Sequence, residues 1–396
     1  MSDFRPELNE EQQAIQEAAR RFCEREIVPH ARTWEEAGAV PRSVLRAMGE
    51  QGFFGGAFPR RYGGSETGFV AQSVVIEEFT RGHVGVGYVF NAQAMIIPLA
   101  IHDFGTEEQR QQWLPRLLAG EAVGCFSLTE PDTGSDAAAI RTRAERQGDH
   151  WVLNGRKMWA TFGDVADVTV LFARTTEEGG HRGLGAFLVG RDVPGVTRTV
   201  IPSRVGTRCV HSVEIGLEDA VIPDANRLGE ERGGFKMAMS VLDYGRITVS
   251  SRCLGIAQRC IDASVRYATE RKAFGEPIGR YQMVQDGLAR AVVATEGARA
   301  LVRRAAYLAD AGRPFAREAS IGKYAAAEAA VEAAKLAMDV HGGMAFSEEF
   351  AVGDWLMAAN VMRTAEGHAN IQKRLIAEDA LGYKEANRHS PARPRF

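Results

Sequence analysis

The period of the hydrophobic pattern changes twice along this chain, and that double change constrains its fold more than any single motif. Up to about residue 121 the apolar positions recur at helical spacing. Ile15, Ala18, Ala19, Phe22 and Ile27, with Glu and Gln between them, predict an amphipathic helix over Asn9 to Arg32. Further helical patterns cover Pro41 to Gln51, Ala71 to Arg81 and Thr106 to Leu118, where Thr106 followed by Glu107 and Glu108 reads as an N-cap with acids in the first turn. Between about Ala122 and Asp224 the pattern breaks into short β-rich runs at Trp151 to Leu153, Val168 to Ala173, Ala186 to Val189 and Val213 to Ile215, separated by Gly, Pro and Asn. After Gly233 and Gly234 helical spacing returns over Phe235 to Ala268, Gln282 to Ala311, Arg317 to His341 and Val361 to Leu381, as a packed bundle requires. The class is α+β: a helical domain over 1–121, a β domain over 122–232, a helical domain over 233–387 and a flexible tail over 388–396.

Composition narrows the function. A formal charge of -3 gives no reason to expect nucleic acid or an anionic membrane as the main partner. The five cysteines show neither CxxC spacing nor a disulfide framework, which suits a reducing compartment. No apolar run is read as reaching the roughly 20 residues of a membrane helix, and Met1 to Phe4 lacks a charged region followed by a hydrophobic one. A cytoplasmic protein is expected. There is no G-x-G-x-x-G after a strand, no P-loop, no H-E-x-x-H and no metal-spaced cluster of His or Cys, so no metal site is expected.

The chemistry is carried by dispersed segments. Arg363-Thr364-Ala365-Glu366-Gly367-His368-Ala369-Asn370 sets one acid beside a glycine; by composition alone Glu366 would be a solvated surface acid. Far upstream stand Cys125-Phe126-Ser127-Leu128-Thr129-Glu130-Pro131-Asp132-Thr133-Gly134-Ser135 and Asn154-Gly155-Arg156-Lys157-Met158-Trp159-Ala160-Thr161. Phe104 to Gln109 precedes them, and Glu270 to Gly275 and His341-Gly342-Gly343 follow. Together these segments resemble the acyl-CoA dehydrogenase family of flavoenzymes along nearly the whole chain. The resemblance implies an N-terminal helical domain, a central β-barrel and a C-terminal four-helix bundle. It also implies bound FAD, an electron-transfer flavoprotein as electron acceptor, and a homo-oligomer, most simply a tetramer.

In that family a proton leaves the α carbon of an acyl thioester and a hydride leaves the β carbon. The resemblance makes Glu366 the base, with its backbone N–H helping to bind the thioester carbonyl and Gly367 allowing close approach. The alternative family position for a base is occupied by Gly245, which has no side chain to serve. Asp243, Tyr244 and Arg246 then fall to the substrate, with Asp243 and Arg246 anchoring its CoA or pantetheine arm; the competing reading is a helix-surface ion pair. For FAD the residues carried over are Phe126, Leu128, Thr129, Ser135, Trp159 and Thr161, with Ser135 also touching substrate. A second FAD set, Arg271, Phe274, Gln282, Asp339, Gly342 and Gly343, is implied to serve the adenine and pyrophosphate end in a neighbouring subunit; alternatively Arg271 and Lys272 form a solvated patch.

Three positions depart from the family pattern: Asp339 for Gln, His368 for Thr and Asn370 for Gln, all at expected FAD contacts. His368 is either a polar replacement or a residue that tunes the base. The acyl pocket is expected from Tyr88 to Pro98, Phe162, and the surroundings of Tyr244 and Glu366, with Asn91, Gln93 and Tyr244 hinting at polar walls. Gly85 stands where the glutaryl-CoA branch carries an arginine for a distal carboxylate, which disfavours glutaryl-CoA decarboxylation. A short, branched or modified acyl-CoA is the expected substrate. A carrier-protein-bound acyl thioester, a flavin oxygenase on the same fold and a non-catalytic flavoprotein stay open beside it.

Overall fold

The computed structural model describes residues 7–177, 180–203 and 205–389. Its N-terminal helices are α1 (Glu10–Phe22), α2 (Ala31–Ala37), α3 (Arg42–Glu50), α4 (Gly68–Gly82), α5 (Val84–Gln93), α6 (Ile96–Phe104) and α7 (Glu107–Leu118). The strands β1 (Gly124–Ser127), β2 (Arg143–Gln147), β3 (His150–Thr161), β4 (Val168–Arg174), β5 (Leu184–Gly190), β6 (Val196–Val200), β7 (Ser212–Pro223) and β8 (Arg227–Leu228) follow. Then come α8 (Gly234–Glu270), a small hairpin of β9 (Lys272–Ala273) and β10 (Glu276–Pro277), and α9 (Gln282–Asp310), α10 (Ala316–His341), α11 (Val352–Thr364) and α12 (Ala369–Ala380). A single 3-10 turn, Ala386–His389, is the last described element, and the rest of the expected tail lies outside the described residues.

Local chemistry explains the boundaries. Asn9 caps α1 in a reciprocal capping box with Gln12, and Thr106 does the same for α7 with Gln109. Gln109 also donates to the carbonyls of Ala225 and Arg227, so one motif residue both starts a helix and ties it to the β domain. The single helix expected over Asn9 to Arg32 is interrupted: Cys23–Ile27 widens into a π turn and Val28–His30 tightens into a 3-10 turn. Pro29 is the cause, since it lacks an N–H and its ring collides with the carbonyl four residues back.

The stretch from Val84 to Phe104 corrects the reading that no apolar run reaches membrane length. It has 21 residues and is apolar enough by composition, yet the backbone breaks at Ala94 and Met95 into α5 and α6, and 94% of its most apolar window is buried inside the protein. It needs no polar face because it is enclosed on every side.

The mixed sheet runs β6-β7-β3-β2-β4-β5-β8, with β1 parallel to β4. It is the expected barrel region. Trp151, Leu171, Phe187, Val213 and Ile222, from four strands, meet in one apolar cluster, so the sheet curls around its own core. The helices before and after it share a second, larger core that joins α4, α5 and α6 to α8, α9 and α10. The Phe54, Phe79 and Phe90 rings lie within it.

Candidate active site

The periodicity over Val361 to Leu381 predicts one helix, and the structure breaks it at the acid. Glu366 has a φ of 54° and Gly367 a φ of 95°, both left-handed, between the end of α11 and the start of α12. The φ of Gly367 is one that side-chain-bearing residues rarely adopt, so glycine is favoured there. For Glu366 the conformation is costly, of the order of 1–3 kcal/mol, and persists only because the surroundings enforce it. Lys323, fully buried on α10, donates to the carbonyls of Arg363 at 3.0 Å and Gly367 at 2.7 Å. Gln372, buried on α12, donates to the same Gly367 carbonyl at 3.0 Å.

The Glu366 carboxylate points inward. Its Oε1 accepts from Asn91 Nδ2 at 3.2 Å, and its Oε2 is buried without a partner. Burial pushes its pKa up, against the pull of the Arg252, Arg246 and Lys323 charges. Gly245 is its neighbour: a Cβ there would meet Glu366 Oε2 and Ile96 Cδ1, each at 2.8 Å. The two sequence positions considered for a base thus converge on one point, and the missing side chain at Gly245 makes room for the carboxylate of Glu366.

Asp243 and Arg246 form a hydrogen-bonded ion pair on α8, and both are buried. The helix-surface reading is therefore wrong. Burial pushes the Asp243 carboxyl up to about 6 although Arg246 pulls it down, and Arg246 Nε is unpartnered. Tyr244 stacks on Phe69 with ring centroids at 4.8 Å and packs against Phe315 at 4.7 Å, so it belongs to the shared core. Gln93 is also structural: it donates to the carbonyls of Leu117 and Ala122. Of the three side chains read as polar pocket walls, Asn91 alone contacts Glu366.

A second feature lies on the β domain. Phe126 lies on β1, and Leu128 and Thr129 follow it; the Thr129 carbonyl accepts from Met158 N at 2.9 Å and joins this segment to β3. The register of β3 against β7 slips between Lys157 and Ala160. At that bulge Trp159 takes a φ of 61° and its side chain is 50% exposed, with Thr161 two residues on. Lys157, fully buried, holds the loop from beneath, donating to Glu130 Oε1 at 2.8 Å and to the Leu128 carbonyl at 3.1 Å.

Arg271, Phe274, Gln282, Asp339, Gly342 and Gly343 are all exposed. They gather at one end of the bundle, where Tyr267 near the end of α8 stacks on His341 at the end of α10 with centroids at 4.4 Å. Along α10, Asp339 is sixteen residues beyond Lys323, or about 24 Å. The single chain therefore does not bring this set to Glu366.

Three family models match in sequence order: the acyl-CoA dehydrogenase N-terminal domain over residues 9–121, the middle domain over 125–220 and the C-terminal domain over 232–381. The chain belongs to the acyl-CoA dehydrogenase family. It is 38% identical to a probable acyl-CoA dehydrogenase, YngJ, of Bacillus subtilis, over 95% of this chain and 99% of that one. It is also 38% identical to the mitochondrial short-chain specific acyl-CoA dehydrogenase of rat, over 95% and 91%. Among solved structures, a glutaryl-coenzyme A dehydrogenase in complex with glutaryl-CoA superposes with a TM-score of 0.94 at 36% identity, covering 98% of each chain. A Mycobacterium smegmatis glutaryl-CoA dehydrogenase in complex with FADH2 gives 0.89 at 30% identity, covering 96% and 97%.

Acyl-CoA dehydrogenases are FAD-dependent oxidoreductases, and the residues here fit a flavin. Trp159 leaves a large indole half in water on a strand whose flanking residues Lys157 and Ala160 are buried, a surface that an aromatic ring system would cover. Hydroxyl groups of Thr129, Ser135 and Thr161 stand on the loop and strand beside it. His368 caps α12, its Nδ1 accepting from Asn370 N at 3.1 Å; threonine, the usual family residue, is equally a capping type.

Sequence reasoning missed Lys157, Lys323, Gln372 and Arg252. A signal was available for the two lysines and Arg252, since each is a cation on the apolar face of its element, where charge is rare without a task. Folding also brings together Glu35, His83 and Cys209, ligand-type side chains far apart in sequence. Glu35 is already engaged by Thr207 Oγ1, Arg208 N and His83 Nε2, and His83 Nδ1 accepts from Val86 N at the start of α5. With Nδ1 accepting, the Nε2 proton faces Glu35, so the imidazole offers no lone pair to a cation. Gly85 abuts this group, at Thr207, Cys209 and His83.

Proposed function

We propose that this enzyme oxidises the α,β bond of a short acyl-CoA thioester, with Glu366 as the base that removes the α proton. The observation that carries this reading is a buried carboxylate with one oxygen on Asn91 and the other unpartnered, set in the space that Gly245 leaves open. A general base is most effective when its pKa approaches the working pH, and burial moves Glu366 in that direction. The strained backbone at Glu366 directs its N–H toward the thioester carbonyl, where a donor stabilises the enolate-like oxygen. Asp243 and Arg246, two residues before and one residue after Gly245, anchor the pantetheine arm, with Gly367 and Ser135 completing the substrate contacts. Thr129, Ser135, Trp159 and Thr161 hold the flavin ring with Phe126 and Leu128 behind them, while His368 and Asn370 border it. Bound FAD supplies the acceptor for the β hydride.

The exposed set of Arg271, Phe274, Gln282, Asp339, Gly342 and Gly343 serves the adenine end of FAD in a neighbouring subunit, which makes the enzyme a homo-oligomer, most simply a tetramer. The 98% exposure of Phe274, with Met283 and Phe346 nearby in the fold's exposed apolar surface, supports a covered face. The electron acceptor is an electron-transfer flavoprotein. The first experiment is an anaerobic titration of the yellow holoenzyme with a panel of acyl-CoAs. Bleaching of the flavin absorbance by one member is expected; bleaching by none, in protein that retains FAD, would transfer the reading to carrier-bound thioesters or oxygen chemistry.

A further inference from the structure

Three cations face Glu366, and two of them are accounted for. Arg246 is paired with Asp243, and Lys323 is held by two backbone carbonyls. Arg252 is not. It is 2% exposed on α8, its Nε is unpartnered, and its contacts among the described residues are Met362 Sδ at 2.8 Å and the face of the Tyr88 ring at 4.0 Å. No carboxylate lies within ion-pair distance of it among the described residues. A buried guanidinium whose neighbours are a sulfur and a ring is normally neutralised by a partner.

Its place along α8 indicates which partner. Gly245 abuts the Glu366 carboxylate, Asp243 and Arg246 sit beside it, and Arg252 is seven residues on from Gly245, two turns along the same helix face, or about 10 Å. Across from α8, Tyr88 lies one turn from Asn91 on α5, so the residue under Arg252 and the residue bonded to Glu366 share a helix face. If the thioester arm runs past Asp243 and Arg246, the acyl chain runs the other way, toward Tyr88 and Arg252. The unpartnered atoms Asn91 Oδ1, Glu366 Oε2 and Arg252 Nε mark this interval as polar and incomplete.

We propose that Arg252 is a specificity-determining residue that binds an anionic group at the far end of the acyl chain, so that the substrate is a short ω-carboxyacyl-CoA. The inference rests on the dehydrogenase reading above. It also revises the expectation drawn from Gly85: that position abuts Thr207, Cys209 and His83, and the guanidinium comes from a different helix, α8. A carboxylate accepts two parallel hydrogen bonds from an arginine, which a methyl end cannot, so discrimination is expected to be large.

The test compares matched pairs, glutaryl-CoA against pentanoyl-CoA and adipyl-CoA against hexanoyl-CoA, by anaerobic flavin bleaching and by kcat/KM. Binding to Glu366→Gln holoenzyme, measured calorimetrically, provides a readout free of turnover. Wild type should favour the carboxylate-ended partner at least tenfold in both, and Arg252→Met should abolish that preference mainly through KM, with Arg252→Lys intermediate. The wild-type comparison stands even if a variant fails to fold. A wild type that prefers methyl-ended chains, or an Arg252→Met change that shifts the pH profile equally for every substrate, overturns the assignment and makes Arg252 a companion of Glu366. No bleaching by either series overturns the dehydrogenase reading, and this inference with it.

Discussion

At the scale of single residues, Glu366 is at once a strained point and the proposed base. It combines a left-handed backbone, a buried carboxylate and an unpartnered oxygen, a set that stability alone would not retain. Glu366→Gln should lower kcat by about 10²–10⁴-fold or more, as loss of a general base does, while FAD stays bound. Unchanged turnover would sink the mechanism. Because its folded pKa is raised, the stability this group contributes is present below the unfolded value of about 4.3 and is lost as pH rises through the folded pKa. The glutamine variant should therefore melt at or above the wild-type temperature at neutral pH, with the gap closing in acid. The rate should rise with pH through the same raised pKa, displaced above the ordinary carboxylate range.

At the scale of elements, the site is made where regular structure is interrupted. The turn between α11 and α12 presents Glu366, the bulge in β3 presents Trp159, and each interruption is held by a buried lysine, Lys323 or Lys157. His368 acts at this level as the cap of α12. His368→Ala should cost about 1 kcal/mol of stability and loosen FAD, and His368→Thr should restore both, with the kinetic pH profile of the remaining holoenzyme unchanged. A displaced profile in His368→Ala would instead show that the imidazole tunes the base. The helical pattern over Val361 to Leu381 was legible as amphipathic, but its break was not, because the turn at Glu366 and Gly367 is held by Lys323, which reaches it from α10, a distant part of the chain.

For the whole molecule, the shared core of the two helical regions fixes how α5 and α8 face each other, and hence where Asn91 and Gly245 meet Glu366. The residues proposed as the second FAD set stand at the other end of the bundle, so on that proposal the cofactor site is completed by another subunit. Phe274→Asp places a charge on the exposed ring and should yield smaller assemblies by light scattering together with weaker FAD retention. A monomer that keeps FAD fully would overturn the shared site.

By itself the sequence determined the α, β, α order, the capped start of α7 and the membership that its dispersed motifs imply, because periodicity and motif chemistry are local or read in order. The same motifs named Glu366, Trp159 and Thr161. Tertiary structure decided the rest: that Asp243 and Arg246 are buried, that Gln93 and Tyr244 are core, that Gly85 abuts Thr207, Cys209 and His83, and that Arg252 faces the base without a partner. Burial and the pairing of charge depend on which distant elements are packed together, and neither is written in the spacing of neighbouring residues.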